Sequence, residues 1–284
     1  MLAISKYISN ALLIFRLAGY KLYILFMILI AILIYAFIGS LVSPYPPYGI
    51  NYVPRDLPPS LKYPFGTTTM GQDVFWLTAY ALKNSLIVGF IAALVNTLIA
   101  ILFGSIAGTT RGLWSEILTS IIDTFILIPI LPILLIAGAL WKEYLNDVFI
   151  GVLIGSLTWG GAARGFRAML LSLRERTFIS TAILSGYTFF DLLKYVYIPY
   201  TIRWLIIHFM SMANFAIGLE ATLGLFGLVP LNRPSIGTIF FWSITYQAIL
   251  RGIWWWYTPA IIITAILFIS SYLLSEELNK IFIG

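Results

Sequence analysis

Charge is costly inside a bilayer, so ionisable side chains within apolar runs are where a membrane chain would keep its chemistry. Two carboxylates meet that description: Asp123 in "IIDTFILIPILPILLIAGAL" and Glu220 in "ANFAIGLEATLGL". An intramembrane hydrolase or lipid-modifying enzyme would need such groups paired within hydrogen-bond reach. Asp123 lies about six residues into its run, whereas Glu220 lies 18 residues past Ile202, about 27 Å along a helix at 1.5 Å per residue. The two belong near opposite membrane faces, which disfavours an enzyme. Asp123 reads as a hydrogen-bonded residue near the inner end of its run. Glu220 reads as either an interfacial or packing carboxylate or a group at an outer gate; a stand-alone proton-coupled carrier would have to use it.

Other reactive sets are missing. There is one histidine, His208, no cysteine and no His-Glu-x-x-His pattern. Disulfides and thiolate metal sites are thereby excluded, and His208 is expected to be a packed or hydrogen-bonded helix residue. A phosphate-cradling loop needs a Gly-Lys dipeptide, and none occurs. The chain is therefore expected to hold no cofactor, and any ATP hydrolysis must come from another polypeptide.

The elements that position these residues are spans. Of the 284 residues, 61% are hydrophobic and 10% charged, far from the roughly 25% charged of soluble chains. Runs near 22–42, 85–108, 117–140, 148–169, 202–228 and 257–275 are long enough to cross a core about 30 Å thick as helices. They are apolar on every face, which excludes the alternating segments of a β-barrel. The fold class is thus an all-α polytopic membrane protein with six transmembrane helices. The first run is read as a retained helix rather than a signal peptide, with a short amphipathic segment before it.

Lys and Arg counted in alternate loops favour both termini inside, 11 against 6. The inner set includes Lys6, Arg16, Arg111, Arg164, Arg167, Arg174 and Arg176. These basic anchors at the lipid headgroups account for the formal charge of +6 without a nucleic-acid partner. Arg164 and Arg167 share a helix face, and they serve either as anchors or at an inner gate.

The organisation along the chain reads as a tail and first helix over 1–43, an extracytoplasmic segment over 44–82, a core with five spans over 83–277 and a short tail over 278–284. Six of the thirteen prolines fall between Pro44 and Pro59, favouring extended or turn backbone there. Thr67 to Thr69 are expected to cap a short helix beginning near Met70. Pro129, Pro132 and Pro259 are candidate kinks. Gly104 with Gly108, and Gly151 with Gly155, are spaced for close helix packing. Trp254, Trp255 and Trp256 read as an interfacial aromatic belt.

One stretch, "RERTFISTAILSGYTFFDLLKYVYIP" at 174–199, is too polar to span. On a helix over 177–193, Thr177, Thr181, Ser185, Thr188 and Asp191 form a polar stripe, and Phe178, Ala182, Gly186, Phe189, Phe190 and Leu193 an apolar one. Gly186 is expected to interrupt it. The pattern is that of an amphipathic surface helix on the inner side. It leaves open whether the helix lies in the headgroups or docks a cytosolic partner.

This stretch resembles the cytoplasmic loop of binding-protein-dependent ABC importer permeases, with Ser180, Thr181 and Ala182 at the family's Glu-Ala-Ala, Gly186 at its glycine and Ile198-Pro199 at its end. Ser180 replaces the family glutamate. "YPFGTTTMGQDVFWLTAYALKNSL", "IIDTFILIPILPILLIAGAL", "WGGAARGFRAMLLSLRER" and "LEATLGLFGL" are similar, in order, to segments of the C-type permease subunits of dipeptide and oligopeptide importers. The resemblance spans about residues 60–275. It implies a permease subunit that forms half of a translocation pathway with a second, related permease. It further implies two cytosolic ATPases that hold ATP and Mg, and an extracytoplasmic substrate-binding protein. The ATPase-docking residues it implies are Phe178, Ser180, Thr181, Ala182, Gly186, Tyr187, Phe189 and Asp191. Asp123, Pro129 and Glu220 become pathway or gate candidates, and the inner arginines candidate ATPase contacts. Related importers carry peptides, oligosaccharides or nickel complexes.

Overall fold

The computed structural model describes residues 20–47, 49–110 and 112–283. Lys6, Arg16, the amphipathic segment expected before the first span, and Arg111 lie outside the described residues. Among the described residues, regular structure is helical apart from one isolated bridge between Thr67 and Asp73. In an apolar medium this is the way a segment satisfies its own backbone groups.

Helix α1 runs Tyr20–Val42 and α2 runs Val74–Thr109. The second is 36 residues long, about 54 Å at 1.5 Å per residue, so it exceeds the bilayer core. Its start is fixed by Asp73, whose Oδ1 accepts from the Phe75 N–H at 2.9 Å. Burial pushes the Asp73 carboxyl above the ordinary range, and the N–H groups of Phe75 and Trp76 hold it down.

No helix begins near Met70. Instead the chain before α2 is laced to itself: Asn51 N–H donates to Met70 O at 2.9 Å, Thr67 N–H to Leu57 O at 2.9 Å and Thr68 N–H to Gln72 O at 2.9 Å. Thr67 and Thr68 are fully buried, so their hydroxyls serve this folded segment rather than a helix cap. Arg251 pairs with Asp56 at 2.5 Å.

The third and fourth spans are broken. Leu113–Leu127 (α3) and Ile130–Leu140 (α4) meet at 77°. Ile128 between them is extended, with φ −65 and ψ 122, because the residue before a proline avoids the helical region and Pro129 has no N–H to continue the ladder. Pro132 and Pro259 do not kink their helices. Each lies in a first turn, of α4 and of α10 (Thr258–Ile283), where an N–H has no intrahelical acceptor to lose.

Asp147–Thr158 (α5) and Gly160–Arg174 (α6) meet at 51°. Trp159 at the break is 3% exposed, with ring centroids 4.6 Å from both Phe103 and Phe125. Then come α7 (Thr177–Leu184), α8 (Phe189–Leu225) and α9 (Ile236–Thr245). Among the described residues four helices are long and apolar enough to cross a membrane, or up to six spans if each bent pair is one.

The chain divides into two compact units, one of residues up to Ser85 with those from Gly224 on, the other Leu86–Leu223. In the first, α1 packs along α10. The expected aromatic belt is instead mostly interior here: Trp256 is 0% exposed, and Trp255 Nε1 donates to Thr67 O at 3.1 Å. Only Trp254 faces outward. In the second unit a Cβ at Gly104 would stand 2.7 Å from Ala163 O and one at Gly155 2.6 Å from Ala92 O, so these glycines set how closely α2 meets α6 and α5.

Candidate functional site

Local rules shape the 174–199 stretch into two helices and a hinge. After α7, Gly186 takes φ +87, a region other residues resist. There the Gly186 N–H donates to Ile183 O at 3.0 Å and the Tyr187 N–H to Ala182 O at 3.1 Å, the two bonds of a Schellman cap. Thr188 opens the next helix with a capping box, in which its own N–H meets Asp191 Oδ2 at 2.9 Å. Asp191 is thus engaged in a local cap.

The stretch does not end at Pro199. Helix α8 runs through it, and the missing proline N–H is absorbed by a π turn over Leu193–Tyr197, where the Ile198 N–H reaches Leu193 O five residues back.

The expected apolar stripe is not one face, because the turn at Gly186 breaks the 3.6-residue period. Ile179 is the anchor: it is 0% exposed and packs with Phe166, Leu170, Leu192 and Val196, with Ala182 beside it. Nothing in the stripe assignment singled it out, although Ile179 with Ala182 at a spacing of three was the available signal. Leu184 (88% exposed), Phe190 (75%) and Ile183 (52%) point outward, together with Tyr187 and with Phe178, which stacks on Tyr200 at 5.1 Å. Phe189 is half-buried, and Ser180 and Thr181 are exposed. The result is a short helix held chiefly by Ile179, with an apolar tip shared with the first turn of α8.

The carboxylates separate. Asp123 accepts from Arg164, whose Nε lies 3.2 Å from Oδ1, and both side chains are well exposed. Glu220 is 1% exposed and partnered, so it is a buried carboxylate rather than an interfacial one. Arg167 does not join Arg164; its Nε donates to Ala107 O at 3.3 Å. Arg174 and Arg176 flank the end of α6, and the Arg176 N–H donates to Leu173 O at 3.0 Å.

His208 is a hydrogen-bonded helix residue, its Nε2 lying 2.8 Å from Asn96 Oδ1 and its ring stacked on Trp204 at 5.1 Å. Asn96, fully buried, donates from Nδ2 to Thr158 Oγ1 at 2.9 Å. This ties α2, α5 and α8 together by side-chain hydrogen bonds. Asn96→Leu takes the partner from His208 Nε2, while the Thr158 hydroxyl keeps its bond to Ile154 O at 2.7 Å, so a loss of about 1–3 kcal/mol is expected, read as a lower unfolding midpoint in detergent. Among the described residues no group of three or more His, Asp or Glu is placed to hold a metal ion.

A cavity of about 440 Å³ in the first unit is lined mainly by Trp242, Tyr246, Trp256 and aliphatic groups, with Arg233 and Gln72. It assembles no acid, base and nucleophile.

Residues 100–282 match the model of the binding-protein-dependent transport system inner membrane component. The dipeptide transport system permease protein DppC of Bacillus subtilis is 28% identical over 80% of this chain and 70% of its own length. The oligopeptide transport system permease protein OppC of the same organism is 28% identical over 75% and 69%, and that of Mycobacterium tuberculosis 30% identical over 64% and 63%. A model spanning more than half the chain, over helices that are built to cross a membrane, places this polytopic membrane protein in the family of binding-protein-dependent transport system inner membrane components.

Proposed function

We propose that the chain is the permease subunit of an ATP-driven importer of di- and oligopeptides, forming half of the pathway and docking a cytosolic ATPase through α7. The observation that carries this reading is α7 with the first turn of α8, Ile179 buried and Leu184 and Phe190 exposed, in a chain of this family. An apolar tip on one anchor is suited to insertion in a cleft, and a buried anchor lets movement of the tip reach α6 and α8.

The peptide cargo is supported by relatives described as dipeptide and oligopeptide permeases; oligosaccharides and nickel complexes have no such support. The wider assembly is a second permease, two ATPases that hold ATP and Mg, and an extracytoplasmic binding protein. Both termini lie on the cytoplasmic side, following the count of basic residues. The mechanism is alternating access: closure of the ATPases draws α7 inward and rotates the spans. This chain performs no chemistry of its own.

The test is gentle purification from the native host followed by mass spectrometry of what accompanies the chain. ATPases and a second permease should appear, and Gly186→Pro should lose the ATPases, since proline fixes φ near −65° where φ is +87. A chain that purifies alone while other complexes survive contradicts the proposal.

A further inference from the structure

We infer that one face of the α3 and α6 pair lines a water-filled path, with Asp123 and Arg164 as its charged station; this rests on the transporter reading and names the surface that serves it. The two helices pack through Ile122, Trp159, Ala162 and Ala163. On the side away from that contact, Ser120 and Thr124 of α3 and Gly161, Arg164 and Ala168 of α6 are exposed. The α6 residues follow one another at spacings of three and four, so they share a face, and none is large and apolar.

Helix α2 shows what a lipid face looks like in the same unit. Phe90, Leu94, Leu98 and Leu102 recur every fourth residue at 57, 41, 58 and 55% exposure. On α3, Ile117 and Ile121 are exposed beside the polar residues, and Leu113 (75% exposed) and Leu127 (82%), seven residues before and after Ser120, bound the face at the two ends of the helix.

Depth adds to the contrast. Asp123 lies six residues past the start of the 117–140 run and Arg164 five residues before the end of the 148–169 run, about 9 and 8 Å inside a hydrocarbon core about 30 Å thick. At that depth an ion pair with side chains 44% and 56% exposed cannot rest against lipid. A protein subunit seated on it would have to strip water from both charges, a desolvation that their mutual attraction often fails to offset. Water leaves them paired and hydrated. Around Gly161 a Cβ would meet nothing within 4 Å, so the face has room for it.

The sequence has no cysteine, so single thiols can be placed without other changes. Ser120→Cys, Thr124→Cys, Ala168→Cys and, as a lipid-face control, Leu98→Cys are introduced into the complete importer in liposomes. Each is treated with a charged methanethiosulfonate reagent, without nucleotide and in the ATP–vanadate state. The three face positions should react at least about tenfold faster than Leu98→Cys in one state, since a charged reagent is excluded from hydrocarbon by several kcal/mol. Their rates should also change several-fold between states, as a gated path requires.

Equal rates in both states would mean a static wetted surface, and rates matching the control in both would mean a lipid or subunit face. Either result overturns the inference. Substituted sites on two helices, and radical footprinting of the unsubstituted complex, keep the question decidable if one variant fails to assemble. ATP-driven uptake by the unsubstituted complex in the same liposomes tests the importer reading separately: if uptake fails, that reading falls, whereas labelling decides the face.

Discussion

Ile179→Asp is expected to abolish transport while leaving the spans folded. Ile179 is fully buried against Phe166, Leu170 and Leu192, and an ionised carboxylate there has no partner, a loss of at least about 3 kcal/mol. Helix α7 has eight residues, too few to persist without packing, so the damage is local detachment. ATPases should no longer co-purify and ATP-driven uptake should fall below detection. The unfolding midpoint of the bundle should move by only a few degrees, because the lost contacts belong to one short helix. Leu184→Asp is the companion: at 88% exposure it costs the fold almost nothing but places charge on the apolar tip, so it should weaken docking alone. Uptake above half of normal in Ile179→Asp would refute the anchor role.

Gly224→Val is expected to prevent accumulation of folded protein. A Cβ at Gly224 would stand 2.4 Å from Gly237 Cα and 2.6 Å from its carbonyl carbon, so the end of α8 meets α9 backbone to backbone. No rotamer relieves that clash, and displacing α9 would strip the bonds that tie its start to α2, where the Ile236 N–H donates to Ser85 Oγ at 3.1 Å and Asn84 Nδ2 to Pro234 O at 2.7 Å. The cost should reach at least about 3 kcal/mol, the upper end of overpacking effects. Gly218→Ala in the same helix meets nothing within 4 Å and should be neutral or stabilising by about 0.5–1 kcal/mol. Detergent unfolding midpoints for the pair provide the check; similar midpoints would show that α9 yields more readily than its packing indicates.

Features carried by one residue type at one place were legible in the sequence. The first span, expected at 22–42, forms over Tyr20–Val42 because nothing but uniform hydropathy decides it. Gly186 breaks its helix because only glycine relaxes at positive φ. Pro129 marks a bend, and its size of 77° follows from the proline also constraining Ile128. Gly104 and Gly155 were readable as packing positions because small residues have few other uses inside spans.

Features that depend on which neighbour arrives were not legible. Trp255 and Trp256 match an interfacial belt in composition, yet Trp255 is claimed by the folded segment before α2, whose hydrogen bonds no periodicity announces, and Trp256 is buried beside Tyr246. Trp159 breaks a span because two phenylalanines clasp it. At the candidate site, a single period drawn over 177–193 mixed inward and outward residues once the chain turned at Gly186, and Ile179 was lost in the average. Asp123 and Arg164 each stand out as charges near apolar runs, but 41 residues separate them in the sequence, and only packing of α3 on α6 makes them a pair.

The central claim is that transport through this chain is driven by ATP hydrolysed elsewhere. The direct measurement is uptake of a labelled dipeptide into liposomes holding this chain with its second permease, its ATPases and its binding protein, with and without ATP and a protonophore. The account predicts uptake that requires ATP, persists with the protonophore and disappears when the ATPases are omitted. Uptake by this chain alone that follows the proton gradient without ATP would contradict it and make buried Glu220 the residue to study.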